Sequence, residues 1–130
     1  MEKGKEVMSE KEKYKWFIAH VAYRNDNNVK SLLDIAGLEC YMPFKTVVRT
    51  WKGEKKEFQV PAIPSCTFVR VAQSDFIMLQ MMKEISLMAD RSDHPLSLSD
   101  EQMEIVRQKL DASDNPGAVV LELIEELINR

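Results

Sequence analysis

The chain has 130 residues, of which 45% are hydrophobic and 30% are charged. This composition supports one globular domain with a real core, and four Gly and five Pro exclude collagen-like and low-complexity architectures. No apolar run reaches the length of about eighteen residues that a membrane helix needs. The first fifteen residues alternate acidic and basic side chains and lack the apolar centre of a secretory signal. We therefore expect a cytoplasmic protein.

The net charge of −3 is unevenly distributed along the chain. Residues 1–71 contain thirteen Lys and Arg against nine Asp and Glu, a net +4, whereas residues 72–130 contain five against twelve, a net −7. A basic first half on an acidic protein indicates an anionic partner that is contacted from one side. Solvated charges on both halves are the alternative interpretation.

The start of the chain predicts a flexible tail, a strand and a helix. Residues 1–13 have no apolar periodicity, which is typical of a tail. The aromatic-rich run 14–21 predicts a buried strand with alternating faces. One face carries Trp16, Ile18 and His20, and the other carries Phe17, Ala19 and Val21. Val29, Leu32, Leu33 and Ala36 then follow at helical spacing, and Gly37 is placed to end that helix.

Residues 38–71 read as extended structure. Residues 39–42 predict a short strand that Pro43 restricts to an edge or a bulge. Residues 46–51 and 55–60 flank the turn Lys52-Gly53 and predict a projecting hairpin. Residues 66–71 predict another strand, with Cys66, Phe68 and Arg70 on one face.

The remainder of the chain is predicted to be mainly helical. A helix over 74–84 would pack Phe76, Ile77, Met81 and Ile85 inward, followed by a short strand at 86–89 and a loop at 90–98. Ser99 and Gln102 form a capping box that starts a helix ending near residue 110. Asn115-Pro116 starts a last helix with a continuous apolar stripe: Val119, Val120, Leu123, Ile124, Leu127 and Ile128. The element order predicts an α+β fold, a ferredoxin-like antiparallel sheet with flanking helices.

The sequence gives little support for a catalytic site or a metal-binding site. His20 and Cys66 could share a sheet face, but a nucleophilic thiolate needs a base and an orienting group, and buried Cys is commonly a small hydrophobe. His94 has acidic neighbours, yet no second His or Cys stands at ligand spacing from it. The four glycines are solitary, so no phosphate-binding loop is predicted. We expect no enzyme activity, no cofactor and no metal.

The predicted hairpin is the most basic part of the chain. It carries Lys45, Arg49, Lys52, Lys55 and Lys56 against Glu54 and Glu57, with Trp51 near the tip. Cationic side chains interleaved with an aromatic ring suit a nucleic-acid contact, because charge neutralises phosphate and a ring stacks on a base. A solvated hairpin is the alternative.

Four segments in register resemble the amino-terminal (NGN) domain of the NusG family. Lys15-Trp16-Phe17-Ile18-Ala19-His20 and the helix after it resemble the opening of that domain. Leu38-Glu39-Cys40-Tyr41-Met42-Pro43 is similar to a family strand that ends in Pro, and Ile63-Pro64-Ser65-Cys66-Thr67-Phe68-Val69 is similar to the family's Pro-Gly-Tyr-x-Phe/Leu-Val strand. Pro95-Leu96-Ser97-Leu98-Ser99-Asp100-Glu101 resembles the segment that leads into its last helix. The chain is especially similar to the specialised RfaH and UpxY-type antiterminators.

This resemblance implies a transcription elongation or antitermination factor that binds the clamp helices of RNA polymerase and suppresses pausing or termination. The residues that match the family's docking positions are Trp16, His20, Ile63, Pro64, Cys66 and Phe68. The hairpin residues Arg49, Trp51, Lys52, Lys55 and Lys56 would then face the polymerase cleft or nucleic acid, either non-template DNA or nascent RNA. Ser65-Cys66 stands where the family usually has Gly-Tyr, which removes an aromatic ring from the docking patch.

The expected domain organisation is a tail over 1–13, an NGN-like domain over 14–112 and an amphipathic helix over 113–130, with no KOW domain. By analogy with the RfaH type, residues 116–130 could mask the docking patch. Self-association through the same stripe, or a simple cap on the domain's own core, are the alternatives. A single-stranded nucleic-acid-binding module and a non-activating decoy of an antiterminator remain the alternative functions.

Overall fold

A computed structural model describes residues 13–22 and 26–129. Within these ranges there are seven strands and four α-helices: β1 (Tyr14–Val21), α1 (Asp26–Ile35), β2 (Glu39–Tyr41), β3 (Phe44–Trp51), β4 (Glu54–Pro61), β5 (Cys66–Ala72), α2 (Phe76–Gln80), β6 (Ile85–Leu87), β7 (Ser97–Leu98), α3 (Asp100–Ala112) and α4 (Pro116–Ile128). The predicted tail lies outside the described residues except for Lys13. None of the helices described is long and apolar enough to cross a membrane.

The main sheet is antiparallel, with strand order β2-β5-β1-β6. β7 shares one edge of β1 with β6: the end of β1 pairs with β6, and Trp16 and Phe17 near its start pair with β7. β3 and β4 form a separate two-stranded hairpin. The arrangement confirms the predicted α+β fold with an antiparallel sheet, flanking helices, a hairpin and a C-terminal helix.

Alternation along β1 and β5 divides the core into two layers, as the sequence predicts. On one face, Trp16, Ile18 and Phe68 pack with Met103 of α3 and Val120 of α4. The opposite face belongs to the second layer, which is formed by Phe17, Ala19, Val21, Val69 and Val71 together with Val29 and Leu33 of α1 and Leu79 of α2. Helices therefore cover the sheet on both sides.

The predicted helix ends are confirmed by capping contacts. The Ser99 hydroxyl accepts a hydrogen bond from the Gln102 amide at 3.1 Å, and the Gln102 side chain accepts one from the Ser99 amide at 2.8 Å. Asn115 caps α4 by accepting from the Ala118 amide at 3.3 Å. Gly37 follows α1 with φ of +76°, a left-handed conformation that glycine adopts without a steric penalty.

The predicted helix over 74–84 is wrong in length and at two of its four inward positions. Residues 73–75 form one 3₁₀ turn, in which the Asp75 carboxylate accepts from the Ala72 amide at 2.9 Å, and α2 then covers only five residues. Phe76 and Ile85 pack inward as predicted, whereas Ile77 and Met81 are 73% and 77% exposed and Leu79 is buried instead. The helix ends before Ile85, because Ile85 belongs to β6, where it pairs with Val21. The strand predicted at 86–89 accordingly starts one residue earlier, and the predicted loop contains β7.

Candidate functional site

Six residues that the family resemblance assigns to docking lie together at one face of the main sheet. We call them the docking face: Trp16, His20, Ile63, Pro64, Cys66 and Phe68. Ile18 pairs with Phe68 and His20 pairs with Cys66 across β1 and β5, which places the strand members side by side. Ile63 and Pro64 lie in the connection from β4 to β5, next to the start of β5. The fold therefore brings distant segments into one contiguous surface.

Most of the docking face is covered. Trp16, Ile63, Cys66 and Phe68 belong to one buried cluster with residues of α3 and α4, and Phe68 is fully buried. His20 and Pro64 remain exposed at its rim. The docking face is thus an apolar surface beneath helices, with only its edge open to solvent.

The Trp16 end of the docking face is held by α3. The Trp16 indole donates from Nε1 to Asp100 Oδ1 at 3.0 Å, and the Arg107 guanidinium lies 5.0 Å from the centroid of the indole ring. The same guanidinium lies 4.9 Å from the ring of Tyr41, so it bridges two aromatic side chains. These polar and cation–π contacts fix α3 over Trp16.

Arg70 strengthens that attachment. Its guanidinium donates to both carboxylate oxygens of Asp100, from Nε at 2.9 Å and from the second Nη at 3.0 Å. The hydrogen bonds from Arg70 to Asp100 raise the pKa of the Arg70 guanidinium above its ordinary value. Asp100 also lies in the first turn of α3, where the helix dipole favours a negative charge. Asp100 therefore joins β1, β5 and α3 at one point.

The Ile63 end of the docking face is covered by α4 instead. Here a cavity of about 490 Å³ separates the sheet end from the first turns of α4. His20, Ile63, Pro64 and Cys66 line one side, and α4 contributes Val120, Leu121 and Ile124 among others. Leu121 is 64% exposed at the outer edge. Packing at this end is therefore less complete than at the Trp16 end, which has direct hydrogen bonds.

Ser65 adopts a conformation that favours glycine. Its φ is +63°, in the left-handed region, and its amide donates to Asp26 Oδ2 at 3.0 Å. This contact attaches the connection before β5 to the start of α1. A glycine, which the family pattern has at this position, would adopt this φ without the steric penalty of a Cβ.

Cys66 lies directly opposite His20 in the sheet register. Burial, with a smaller contribution from the nearby charge of Asp26, raises the pKa of the Cys66 thiol to about 11. A thiol with this pKa is protonated at neutral pH, whereas a nucleophilic cysteine needs a depressed pKa. The geometry therefore gives Cys66 the character of a buried apolar side chain.

The hairpin is a second candidate site, and its residues are largely open to solvent. None of residues 45–59 is buried, and the turn has Lys52 at φ +52° and Gly53 at φ +79°, as a tight hairpin turn requires. Of the predicted nucleic-acid-facing residues, Arg49, Trp51 and Lys56 share one side of the hairpin. Lys55 lies on the other side, and Lys52 lies in the turn.

Several contributors to these sites are absent from the sequence-based assignment. The capping box predicts the start of α3, but nothing in the local pattern identifies Asp100 as the acceptor for Trp16. Arg107 and Tyr41 are likewise brought to Trp16 only by the packing of α3 on the sheet. Phe58 is also absent from that assignment, although a local pattern marks it: Phe58 alternates in phase with Lys56 along β4.

A family model described as "Transcription termination factor nusG" matches residues 14–107, more than two thirds of the chain. The match includes the whole docking face, the hairpin and the first turns of α3, and it ends before α4. No curated protein matches the chain at a significant level. The chain belongs to the NusG family, whose members generally act with RNA polymerase, and this membership indicates a transcription elongation or antitermination factor.

Proposed function

We propose that the protein binds the clamp helices of RNA polymerase through the docking face and thereby suppresses pausing or termination. Family membership supports this proposal, and one observation carries it: six residues from separate segments form a single apolar surface at one sheet face. Such a surface is suited to a helical partner, because an apolar groove buries the apolar stripe of a helix. The mechanism is a protein contact without a chemical step.

Access to this surface depends on α4. The helix buries Val120 and Leu127 in the cluster beneath it, and burial of each such side chain contributes about 1.5–3 kcal/mol. An arrangement with α4 displaced is therefore a minor state of the free protein. A polymerase that binds the Ile63 end must compete with α4, and its affinity is reduced by the small fraction of molecules that are open.

The two ends of the docking face respond differently to displacement of α4. Loss of α4 would uncover Ile63 and Cys66, whereas α3 would still hold Trp16 through Asp100 and Arg107. We therefore assign the first polymerase contact to the exposed rim and the Ile63 end. Masking of the docking face by α4, which the resemblance to the RfaH type implies, is part of this proposal, and self-association through the stripe would require α4 to leave its own sheet.

The rim offers a test that leaves the core intact. We expect His20→Glu to reduce capture of purified RNA polymerase by the immobilised protein, because His20 is exposed at the docking face. Ile77→Glu is the matched control, since it introduces the same side chain at an exposed position of α2, beyond the opposite sheet face. Equal capture by wild type, H20E and I77E would contradict the docking assignment, provided that thermal melts show all three folded.

Masking is tested by weakening α4. Leu127→Glu places a charge in the buried stripe, so we expect α4 to detach and polymerase capture to rise above that of the wild type. Glu125→Gln is the control on the exposed side of the same helix. If L127E lowers thermal stability but leaves capture and oligomeric state unchanged, α4 is a structural cap and masks nothing.

A further inference from the structure

The hairpin has two open strand edges. Among the strands described, β3 pairs with β4 alone, so each of the two strands leaves its far edge unpaired. The main-chain N–H and C=O groups along such an edge are a template for a further strand. Thr46, Val48 and Thr50 of β3 are all exposed, and Val48 is 58% exposed. A partner strand therefore has access to β3.

The register of the hairpin determines which backbone groups of β3 point to its open edge. Trp51 and Glu54 close a two-residue turn, and a pair in this position exchanges both of its main-chain hydrogen bonds. Hydrogen-bonded and non-hydrogen-bonded pairs then alternate along the ladder. Thr46, Val48 and Thr50 therefore belong to the non-hydrogen-bonded pairs, and their N–H and C=O groups point away from β4. We call this row of outward groups the β3 edge.

The two open edges differ in how charge protects them. Residues 54–57 of β4 are all charged, so an antiparallel copy centred on any one of them places that residue opposite itself. Like charges directly opposite each other destabilise a sheet, and charged residues protect natural edges from pairing. The outward positions of β3 carry uncharged side chains instead, and all three are β-branched. The β3 edge therefore lacks the protection that β4 has.

The sequence of β3 is self-complementary about Val48. With a twofold axis at this residue, Val48 lies opposite Val48 of a second copy, and Thr46 lies opposite Thr50 of that copy. Every outward backbone group of these positions then meets an outward group of the other strand, as an antiparallel ladder requires. The side chains that meet are uncharged and β-branched, which favours a pleated strand.

The same register keeps the cations of β3 apart. Arg49 lies opposite Val47 of the second copy, and Lys45 lies opposite Trp51, where an ammonium beside an indole ring is favourable. An axis at Val47 would instead place Lys45 opposite Arg49, and an axis at Arg49 would place two guanidinium groups opposite each other. Like charges in those positions are destabilising. An axis at Val48 is therefore favoured over its neighbours.

We propose that two copies of this chain associate through the β3 edge, with the twofold axis at Val48. The two hairpins then form one four-stranded antiparallel sheet in the order β4-β3-β3-β4. The three outward positions of each strand contribute roughly six main-chain hydrogen bonds between the copies. The inference goes beyond the proposed function, since it involves neither the docking face nor a polymerase.

Sedimentation velocity of the full chain over a concentration series tests the association. We expect a dimer fraction that rises with concentration. Val48→Lys places two ammonium groups opposite each other at the axis and should weaken dimerisation by about 10-fold. Gln59→Lys is the matched control, because it adds the same charge to an exposed position of β4. A wild type that stays monomeric throughout, or equal dimerisation of wild type, V48K and Q59K, would overturn the proposal.

Cysteine cross-linking tests the register independently of charge. In a Cys40→Ala background, Val48→Cys should give a disulfide-linked dimer on a non-reducing gel, because paired Cα atoms are about 5.5 Å apart. Glu57→Cys is the control: Glu57 pairs with Val48 on β4, so its two copies would be about 14 Å apart, three strand spacings. Equal cross-linking of V48C and E57C, or stronger cross-linking of Val47→Cys than of V48C, would reject the axis at Val48.

A dimer that forms through the stripe of α4 is the competing outcome. Leu127→Glu disrupts that stripe and leaves β3 unchanged, so we expect L127E to retain the wild-type dimer fraction. If L127E abolishes the dimer while V48K retains it, the association runs through α4 and the β3 assignment fails. None of these readouts uses polymerase, so failure of the proposed function leaves the result for the β3 edge unaffected.

Discussion

The docking face and the hairpin formed by β3 and β4 each contain a tryptophan and a phenylalanine, yet the fold buries one pair and exposes the other. Trp16 and Phe68 are 3% and 0% exposed, whereas Trp51 and Phe58 are 63% and 45% exposed. The first pair lies on a sheet that helices cover, and the second lies on a two-stranded hairpin whose residues 45–59 are all at least partly open. The difference shows that a second layer, and not residue type, decides whether an aromatic ring becomes core or contact surface.

The largest expected difference between the docking face and the hairpin is in stability. Phe68→Ala should lower the free energy of unfolding by about 3–5 kcal/mol, because it empties a fully buried site. Phe58→Ala makes the same chemical change on the hairpin and should lower it by no more than about 0.5 kcal/mol. Urea denaturation of both variants measures the contrast. Similar losses would mean that the hairpin packs against the domain far more closely than its exposure indicates.

The next effect is a pH dependence of stability that arises at Cys66 of the docking face. The folded pKa of Cys66 is about 11, against an ordinary value of 9.0, because burial disfavours the thiolate. Its contribution to stability is complete below pH 9.0 and is lost as the pH rises through about 11, because the unfolded chain releases the proton first. The shift corresponds to about 2–3 kcal/mol.

Cys66→Ala supplies the reference for this measurement, since it removes the titrating group without adding another. As the pH rises from 9.0 through about 11, the free energy of unfolding of the wild type should fall by about 2–3 kcal/mol relative to that of C66A. Cys40→Ala is the matched control: burial also raises the pKa of the Cys40 thiol, but Cys40 is only half-buried, so we expect a smaller change with pH. Parallel pH profiles for wild type and C66A would show that the Cys66 thiol reaches solvent easily.

The smallest effect concerns the turn beside Cys66. Ser65→Gly should raise the free energy of unfolding by about 0.5–1 kcal/mol, because glycine adopts the observed φ of +63° without the steric penalty of a Cβ. Asp26 accepts from the backbone amide, so the substitution keeps that hydrogen bond. Thermal melts of the wild type and of S65G measure this difference in stability. A destabilised S65G variant would indicate that the serine side chain itself contributes to the loop.

Local sequence patterns correctly predict the features that depend on a single strand, helix or turn. Alternation along β1 and β5 correctly assigned each side chain to its face, and the capping residues Ser99 and Asn115 correctly located two helix starts. The Lys52-Gly53 turn identified the hairpin. The predicted inward positions Ile77 and Met81 are wrong, because α2 has only five residues and so short a helix gives no reliable apolar periodicity.

What the sequence determined by itself is most of the strands and helices, their buried faces, the hairpin and the resemblance to the NusG family. The strands, helices and hairpin follow from residue spacing within short segments, whereas the resemblance rests on four segments in register. The tertiary structure alone decided that Asp100 and Arg107 hold Trp16 and that α4 covers the Ile63 end. Such contacts join residues far apart in the chain or on paired strands, and their free energy depends on how whole elements pack, which no local pattern records.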